Sequence, residues 1–339
     1  MLKAGYFPYQ LHFKKPSGTS RGILTHKKIW IIKLWHSENP DIYGLGECNP
    51  LVGLSIDDRP DFENKLKAVC DDIEKNDDLL DFPSIRFALE TAKKDLMNGG
   101  KRILFDNAFS RGEKGITING LVWIGDVQSM QQQIEEKITQ GFKCIKLKIG
   151  AIDFDKELML IKSIREIFSS AEIEIRVDAN GAFSVKEALF KLDKLSKLEI
   201  HSIEQPIQQG KVKEMAALCK KTPIPIALDE ELIQHQNLIE KAKLLDYIRP
   251  QFIILKPSLL GGWKASEEWI EIANQNKIEW WITSALESNI GLNAIAQWTY
   301  DLKSKLPQGL GTGLLYANNF DSLLEIRKNQ LFHNFKKLI

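Results

Sequence analysis

Apolar and polar positions change their rhythm near residue 115. Before it, β-branched and aromatic residues gather in three runs, Tyr6–Phe13, Lys28–Trp35 and Ile42–Glu47, which predict strands. Between the first two runs, residues 14–22 are polar and include Pro16, Gly18 and Gly22. That composition predicts a mobile connection, which as a lid could bring Ser20 or Arg21 over a ligand. Two helical periods follow, at 59–75 with Phe62, Leu66, Val69, Cys70 and Ile73 on one side, and at 84–97, stopped by Asn98-Gly99-Gly100.

From about residue 115 short apolar runs and amphipathic stretches alternate. Strands are expected at 116–122, 143–149, 173–178, 198–204, 225–229, 252–256 and 278–284, with a short eighth at 309–313. Helices are expected between them at 127–140, 153–168, from Ser184 with Glu187 completing a capping box, and at 211–221, 235–244, 263–276 and 289–302. Repeated strand–helix units make a parallel sheet. Eight strands with seven long helices predict a (β/α)7β barrel of the TIM type whose last helix is lost. An open doubly wound sheet is the weaker choice, because no GxGxxG follows the first strand of the series.

The second strand of the series, in Gly141–Gly150, carries Lys146 and Lys148. Alternation puts them on one face and Ile145, Leu147 and Ile149 on the other. Alone, that is an edge strand with a solvated face. If buried, mutual repulsion and lost hydration favour a neutral amine, which is a base.

Polar residues then recur at one phase of the repeat: Lys148, Asp178, Glu204, Asp229, Lys256 and Ser284, each at or near a strand's C-terminal end. In a barrel those ends converge on the active face. Asp178, Glu204 and Asp229 make an all-oxygen set suited to Mg²⁺. Pairing of each acid with a basic neighbour is the plainer alternative, and Arg176 shares the facing of Asp178. In Asp229-Glu230-Glu231 spacing does not choose the ligand, although alternation faces Asp229 and Glu230 opposite ways. Lys148 and Lys256 flank the acidic strands, so they stand on opposite sides of such a cation.

Composition narrows the partners. The chain has 339 residues, 43% hydrophobic and 27% charged, with a net charge of +1, ordinary for a globular protein and no invitation to nucleic acid or a membrane. Cys48, Cys70, Cys144 and Cys219 are far apart and predict reduced packing residues in a cytoplasmic protein. The N-terminus lacks the apolar run of a signal peptide. Oligomeric state is not legible.

Taken in order, Lys146-x-Lys148, Asp178-x-Asn180, Glu204-Gln205-Pro206, Asp229-Glu230 and Lys256-Pro257 with Gly261-Gly262 resemble the muconate-lactonising subgroup of the enolase superfamily. The resemblance spans the chain. It implies an α+β capping domain at 1–110, with Gly44-Leu45-Gly46-Glu47 and a substrate-covering loop near 14–22. A catalytic barrel follows at 111–313, and a segment at 314–339 returns to the cap. It implies Asp178, Glu204 and Asp229 as ligands of Mg²⁺, with Mn²⁺ as a substitute. It makes Lys148 the acid/base, Lys146 its tuning charge and Lys256 the lysine opposite, with Asn180 and Glu230 supporting the metal shell. A lysine base beside Mg²⁺ is general to such sites.

The substrate implied is a small carboxylate. Dipeptide epimerisation, N-acylamino-acid racemisation and muconate cycloisomerisation all occur on this scaffold. However, Ser284–Ser288 with Gly309–Gly313 resemble the dehydratases that form o-succinylbenzoate in menaquinone synthesis. Dipeptide epimerases carry Asp-x-Asp at the last strand, where this chain has Gly311-Thr312-Gly313. Ser20, Arg21, Ser284, Ser288, Gly311 and Thr312 are then the expected substrate contacts. Two readings outside the subgroup are a Schiff-base aldolase and a barrel that binds an acid without catalysis.

Overall fold

The computed structural model describes residues 1–19, 22–75 and 79–334. Ser20 and Arg21 lie outside the described residues. The chain opens with an antiparallel sheet of β1 (Leu2–Thr19), β2 (Gly22–His36) and β3 (Asn39–Cys48). The expected mobile connection is shorter than its composition implies, because Ser17 to Thr19 pair with Leu24 to Gly22. Local Pro and Gly content predicts a turn, but Ile23 and Leu24 supply a partner strand. Pro16 falls in the register shift between His12 and Ser17, where no ladder donor is needed.

Two helices, α1 (Phe62–Asp71) and α2 (Pro83–Met97), cover this sheet with a core that includes Ile32, Leu34, Leu66, Ile85 and Ala88. The Gly44-x-Gly46 spacing has a steric cause. A Cβ on Gly44 would meet Ala92 O at 2.0 Å, and one on Gly46 would meet Ala88 O at 1.8 Å, so β3 lies directly on the backbone of α2. Asp57 accepts hydrogen bonds from the N–H (2.8 Å) and hydroxyl (2.6 Å) of Ser84 in the first turn of α2. Burial pushes its carboxyl up to about 6. The unfolded chain ionises first as pH rises, so this group's contribution is present below about pH 4 and lost as pH rises through 6. Asp57→Asn should remove that dependence, so urea titrations should show wild type gaining stability relative to the variant as pH falls from 6 to 4.

Beyond the cap, the run expected as one strand at 116–122 is split into β4 (Ile116–Thr117) and β5 (Gly120–Val122). The alternation continues through α3 (Val127–Thr139), β6 (Cys144–Lys148), α4 (Phe154–Arg165), β7 (Glu174–Asp178), α5 (Val185–Ser196), β8 (Ser202–Glu204), α6 (Val212–Lys221) and β9 (Ile226–Leu228). It ends with α7 (Glu230–Ile233), α8 (Leu238–Ile248), β10 (Phe252–Leu255), α9 (Pro257–Leu260), α10 (Trp263–Gln275), β11 (Glu279–Ile282) and α11 (Asn289–Asp301). Strands β5 to β11 form one parallel sheet in sequence order.

The eighth strand is vestigial, yet it closes the ring. Gln308 bridges Ile118 and Gly309 bridges Thr283, both in parallel sense. A Cβ on Gly309 would stand 2.1 Å from Thr283 Oγ1, so glycine permits the closure. The remainder of the expected strand winds into a 3-10 turn at Thr312–Leu314. Helix α8 starts three residues later than its apolar pattern implied, because the Asn237 side chain caps it by accepting from the Glu240 N–H at 2.9 Å.

After the barrel the chain runs along the cap. Lys14 N–H donates to Leu315 O at 2.8 Å and Ala317 N–H to His12 O at 2.8 Å, and Phe13 packs on Tyr316. A hairpin of β12 (Leu324–Arg327) and β13 (Gln330–His333) then pairs with β4. Among the described residues no helix is long and apolar enough to cross a membrane.

Candidate active site

Strand register brings the strand-end residues together. Lys148 on β6 is the register partner of Asp178 on β7, and Asp178 is the partner of Glu204 on β8. Lys146 and Arg176 are also register partners, but their side chains take different partners. Arg176 donates to Glu174 at 2.7 Å and to Pro307 O at 2.9 Å, and its guanidinium lies 4.2 Å from the Trp281 ring. It therefore does not pair with Asp178. Lys146 instead bridges the acids, with Nζ 3.0 Å from Asp178 Oδ2 and in close contact with Glu204 Oε2.

Lys148 Nζ donates to Asp178 Oδ2 at 2.9 Å and to Asn180 Oδ1 at 2.6 Å. Lys256 Nζ donates to Asp229 Oδ2. The lysine nitrogens thus hold positions among the carboxylates, and no trio of metal-binding side chains among the described residues stands at coordinating geometry in this arrangement.

The electrostatics follow from crowding without water. Burial alone would lower the Lys146 ammonium, but Asp178 and Glu204 outweigh it and hold its pKa well above the ordinary lysine value. The neutral amine expected from a buried lysine pair is therefore not the state of Lys146. Lys256 is likewise lowered by burial and raised further by Asp229 and Glu230, with a net rise. Burial opposes ionisation of Asp178, yet Lys146, Lys148 and Lys256 together hold it well below the usual carboxylate range. Glu204 moves the other way, raised well above its ordinary value by burial and by Asp178. Its Oε1 is buried and has no hydrogen-bond partner. An unpaired buried carboxylate oxygen amid two more acids is the environment a hard cation corrects, so the donor set fits Mg²⁺.

The three acids at 229–231 sort by contact. Asp229 faces Lys256, and Glu230 accepts from Asn180 Nδ2 at 2.9 Å. Glu231 accepts from Gly210 N–H at 2.9 Å and from Gln205 Nε2 at 3.3 Å. Alternation would have turned Glu230 away from Asp229. However, β9 ends at Leu228 and α7 begins at Glu230, so strand alternation has already stopped. Gln205, given no role by the sequence pattern, fixes this corner: its Oε1 accepts from the N–H groups of Asp229 (3.2 Å) and Glu231 (3.3 Å). Asn180 and Gln205 both hold left-handed backbone, at φ 43° and 38°.

A cavity of about 780 Å³ opens beside these groups. Lys146, Lys148, Asp178, Asn180 and Lys256 line it, as do Ser284, Ala285, Leu286, Gly311 and Thr312. Ser284 and Thr312 share a hydroxyl hydrogen bond of 2.6 Å. Ser288, expected at the pocket, is not among its lining residues. Its hydroxyl is turned to Glu47 and to the start of α11, where it accepts from Ile290 N–H at 3.1 Å. Trp123, just past β5, was missed by sequence reasoning. It lines the cavity with its ring 6.0 Å from Lys148 Nζ. Its only sequence signal was an aromatic at a strand end.

Residues 129–326 match the family model described as Enolase C-terminal domain-like. The o-succinylbenzoate synthase of Desulfotalea psychrophila is 46% identical over 361 aligned positions, covering 96% of this chain and 97% of that protein. The chain belongs to the o-succinylbenzoate synthase family of the enolase superfamily. Within that family, the crystal structure of MenC from Desulfotalea psychrophila superposes with a TM-score of 0.87 at 42% identity, covering 98% of this chain and 99% of that one. The L-Ala-D/L-Glu epimerase of Bacillus subtilis shares the fold, with a TM-score of 0.81 at 19% identity over 98% of this chain and 95% of that one.

Proposed function

We propose that the chain dehydrates 2-succinyl-6-hydroxy-2,4-cyclohexadiene-1-carboxylate to o-succinylbenzoate, with Mg²⁺, in menaquinone biosynthesis. One observation carries the reading. Lys148 and Lys256 come from strands either side of the three acids and line one cavity, whose Ser284–Thr312 wall is free of carboxylates among the described lining residues. That wall suits the succinyl arm of a dicarboxylate and offers no carboxylate to the ammonium of a dipeptide.

Asp178, Glu204 and Asp229 would hold the Mg²⁺, with Mn²⁺ as a substitute, and Asn180 and Glu230 would support them. Bound there, the cation supplies positive charge to the substrate carboxylate as electrons move into it. Lys148, as the free amine, takes the proton from the carbon bearing that carboxylate, and the C–H electron pair passes into the carboxylate. The pair then returns to the ring, the C–O bond breaks, and Lys148 gives its proton to the departing hydroxyl on the same face, releasing water. Lys146 is a fixed positive charge that discourages protonation of its neighbour. Lys256, paired with Asp229, stays an ammonium and faces the substrate ring from the other side. The four buried, unpaired cysteines support a reducing, cytoplasmic setting.

A substrate panel tests the assignment against epimerisation. The purified protein with Mg²⁺ should convert the dienic acid and leave dipeptides and N-acylamino acids without deuterium wash-in. Faster exchange into a dipeptide than turnover of the dienic acid would move the chain to the epimerases.

A further inference from the structure

The cap reaches the pocket through a buried charge. Lys27, on β2, is 7% exposed. It donates to Ala285 O at 3.1 Å, to Leu286 O at 3.0 Å and to Asn49 Oδ1. Ala285 and Leu286 are wall residues of the cavity, 258 and 259 positions away in sequence. Leu286 sits at φ 65°, a left-handed conformation that a branched side chain resists. Its carbonyl also accepts from Tyr316 Oη at 2.7 Å, so two donors from different parts of the chain hold one strained peptide.

The same loop is tied from its other end. Glu287 accepts from Ser284 Oγ at 2.5 Å, Ala285 N–H at 2.7 Å and Ser258 Oγ at 2.5 Å. Glu47, from β3, accepts from the N–H groups of Ser288 (2.9 Å) and Gly291 (3.0 Å). Glu47 and Glu287 are fully buried, so Lys27 is also the positive charge that accompanies them.

We propose that Lys27 is a positioning residue for the substrate pocket, holding the 284–288 loop through the Ala285 and Leu286 carbonyls so that Ser284 and Thr312 present a fixed wall. The inference rests on the assigned reaction for its substrate, but the contacts do not depend on it. It touches none of the reacting atoms, so its removal acts on binding more than on the proton transfers at Lys148.

Lys27→Met keeps the length and removes the donors; Lys27→Arg restores donors. With the dienic acid, Lys27→Met should raise KM about tenfold while kcat changes less than about threefold, and Lys27→Arg should recover part of the loss. Hydrogen exchange should quicken at the Ala285, Leu286 and Ser288 amides ahead of the barrel strands. Tyr316→Phe, which removes one donor to the same carbonyl, should show the same pattern more weakly and serves if Lys27→Met does not fold. A fall in Tm with KM and loop exchange unchanged, in whichever variant folds, overturns the proposal. Failure of the wild type to turn over the dienic acid overturns the assigned reaction instead, and loop exchange still decides the role of Lys27.

Discussion

Lys148→Ala is expected to lower kcat for the dehydration by about 10³-fold or more, since a positioned acid/base is worth ~10²–10⁴ and the proposed mechanism uses this one in both proton steps. Lys148 lies at the strand end with Asp178 at 2.9 Å and Asn180 at 2.6 Å, which fix the amine where the cavity begins. Neither of the other two strand-end lysines takes its place. Lys146 is bound to Asp178 and Glu204, and Lys256 is bound to Asp229. KM should change far less than kcat, because the wall at Ser284 and Thr312 is untouched. Steady-state kinetics on the folded variant check this, and a loss confined to KM would remove Lys148 from the chemistry.

Asp178→Asn is the second large effect. The carboxylate is 1% exposed and is shared by Lys146 and Lys148, besides neighbouring Glu204. An amide keeps the shape and removes the charge. Mg²⁺ binding should weaken by at least about 100-fold, because even groups behind a metal's own ligands cost ~10–100-fold when altered. Turnover should fall with it, and added Mg²⁺ should restore only part. Stability should also drop, since the buried Lys146 ammonium loses a counter-charge, by about 3–5 kcal/mol at the upper end for a broken buried pair. Isothermal calorimetry with Mg²⁺ separates the two effects. Undiminished metal binding by the folded variant would take Asp178 out of the metal site.

The strand-end residues were legible because a parallel strand–helix repeat converts three-dimensional convergence into sequence phase. Lys148, Asp178, Glu204, Asp229 and Lys256 keep that phase, and register then sets Lys148, Asp178 and Glu204 side by side. Phase says nothing where strands stop. The corner after β9 turns into a four-residue helix, and the sorting of Asp229, Glu230 and Glu231 depends on Gln205 and Asn180 rather than on alternation. Ser288 is expected at the pocket from the resemblance of Ser284–Ser288, yet a carboxylate from 241 positions earlier claims it. Lys27 stands just before the Lys28–Trp35 run and gives no signal of its own. Its role comes from contacts across the whole chain, which no local pattern encodes. The long hairpin of β1 and β2 was hidden for a related reason: Pro16 and Gly18 signal a turn locally, while pairing is decided by the strand opposite.

The most direct test is a single assay of the purified protein with 2-succinyl-6-hydroxy-2,4-cyclohexadiene-1-carboxylate, with Mg²⁺, after chelation, and with Mg²⁺ returned. Formation of o-succinylbenzoate that stops on chelation and resumes with Mg²⁺ is the predicted result. No aromatic product in the presence of Mg²⁺, or turnover indifferent to chelation, would contradict the assignment.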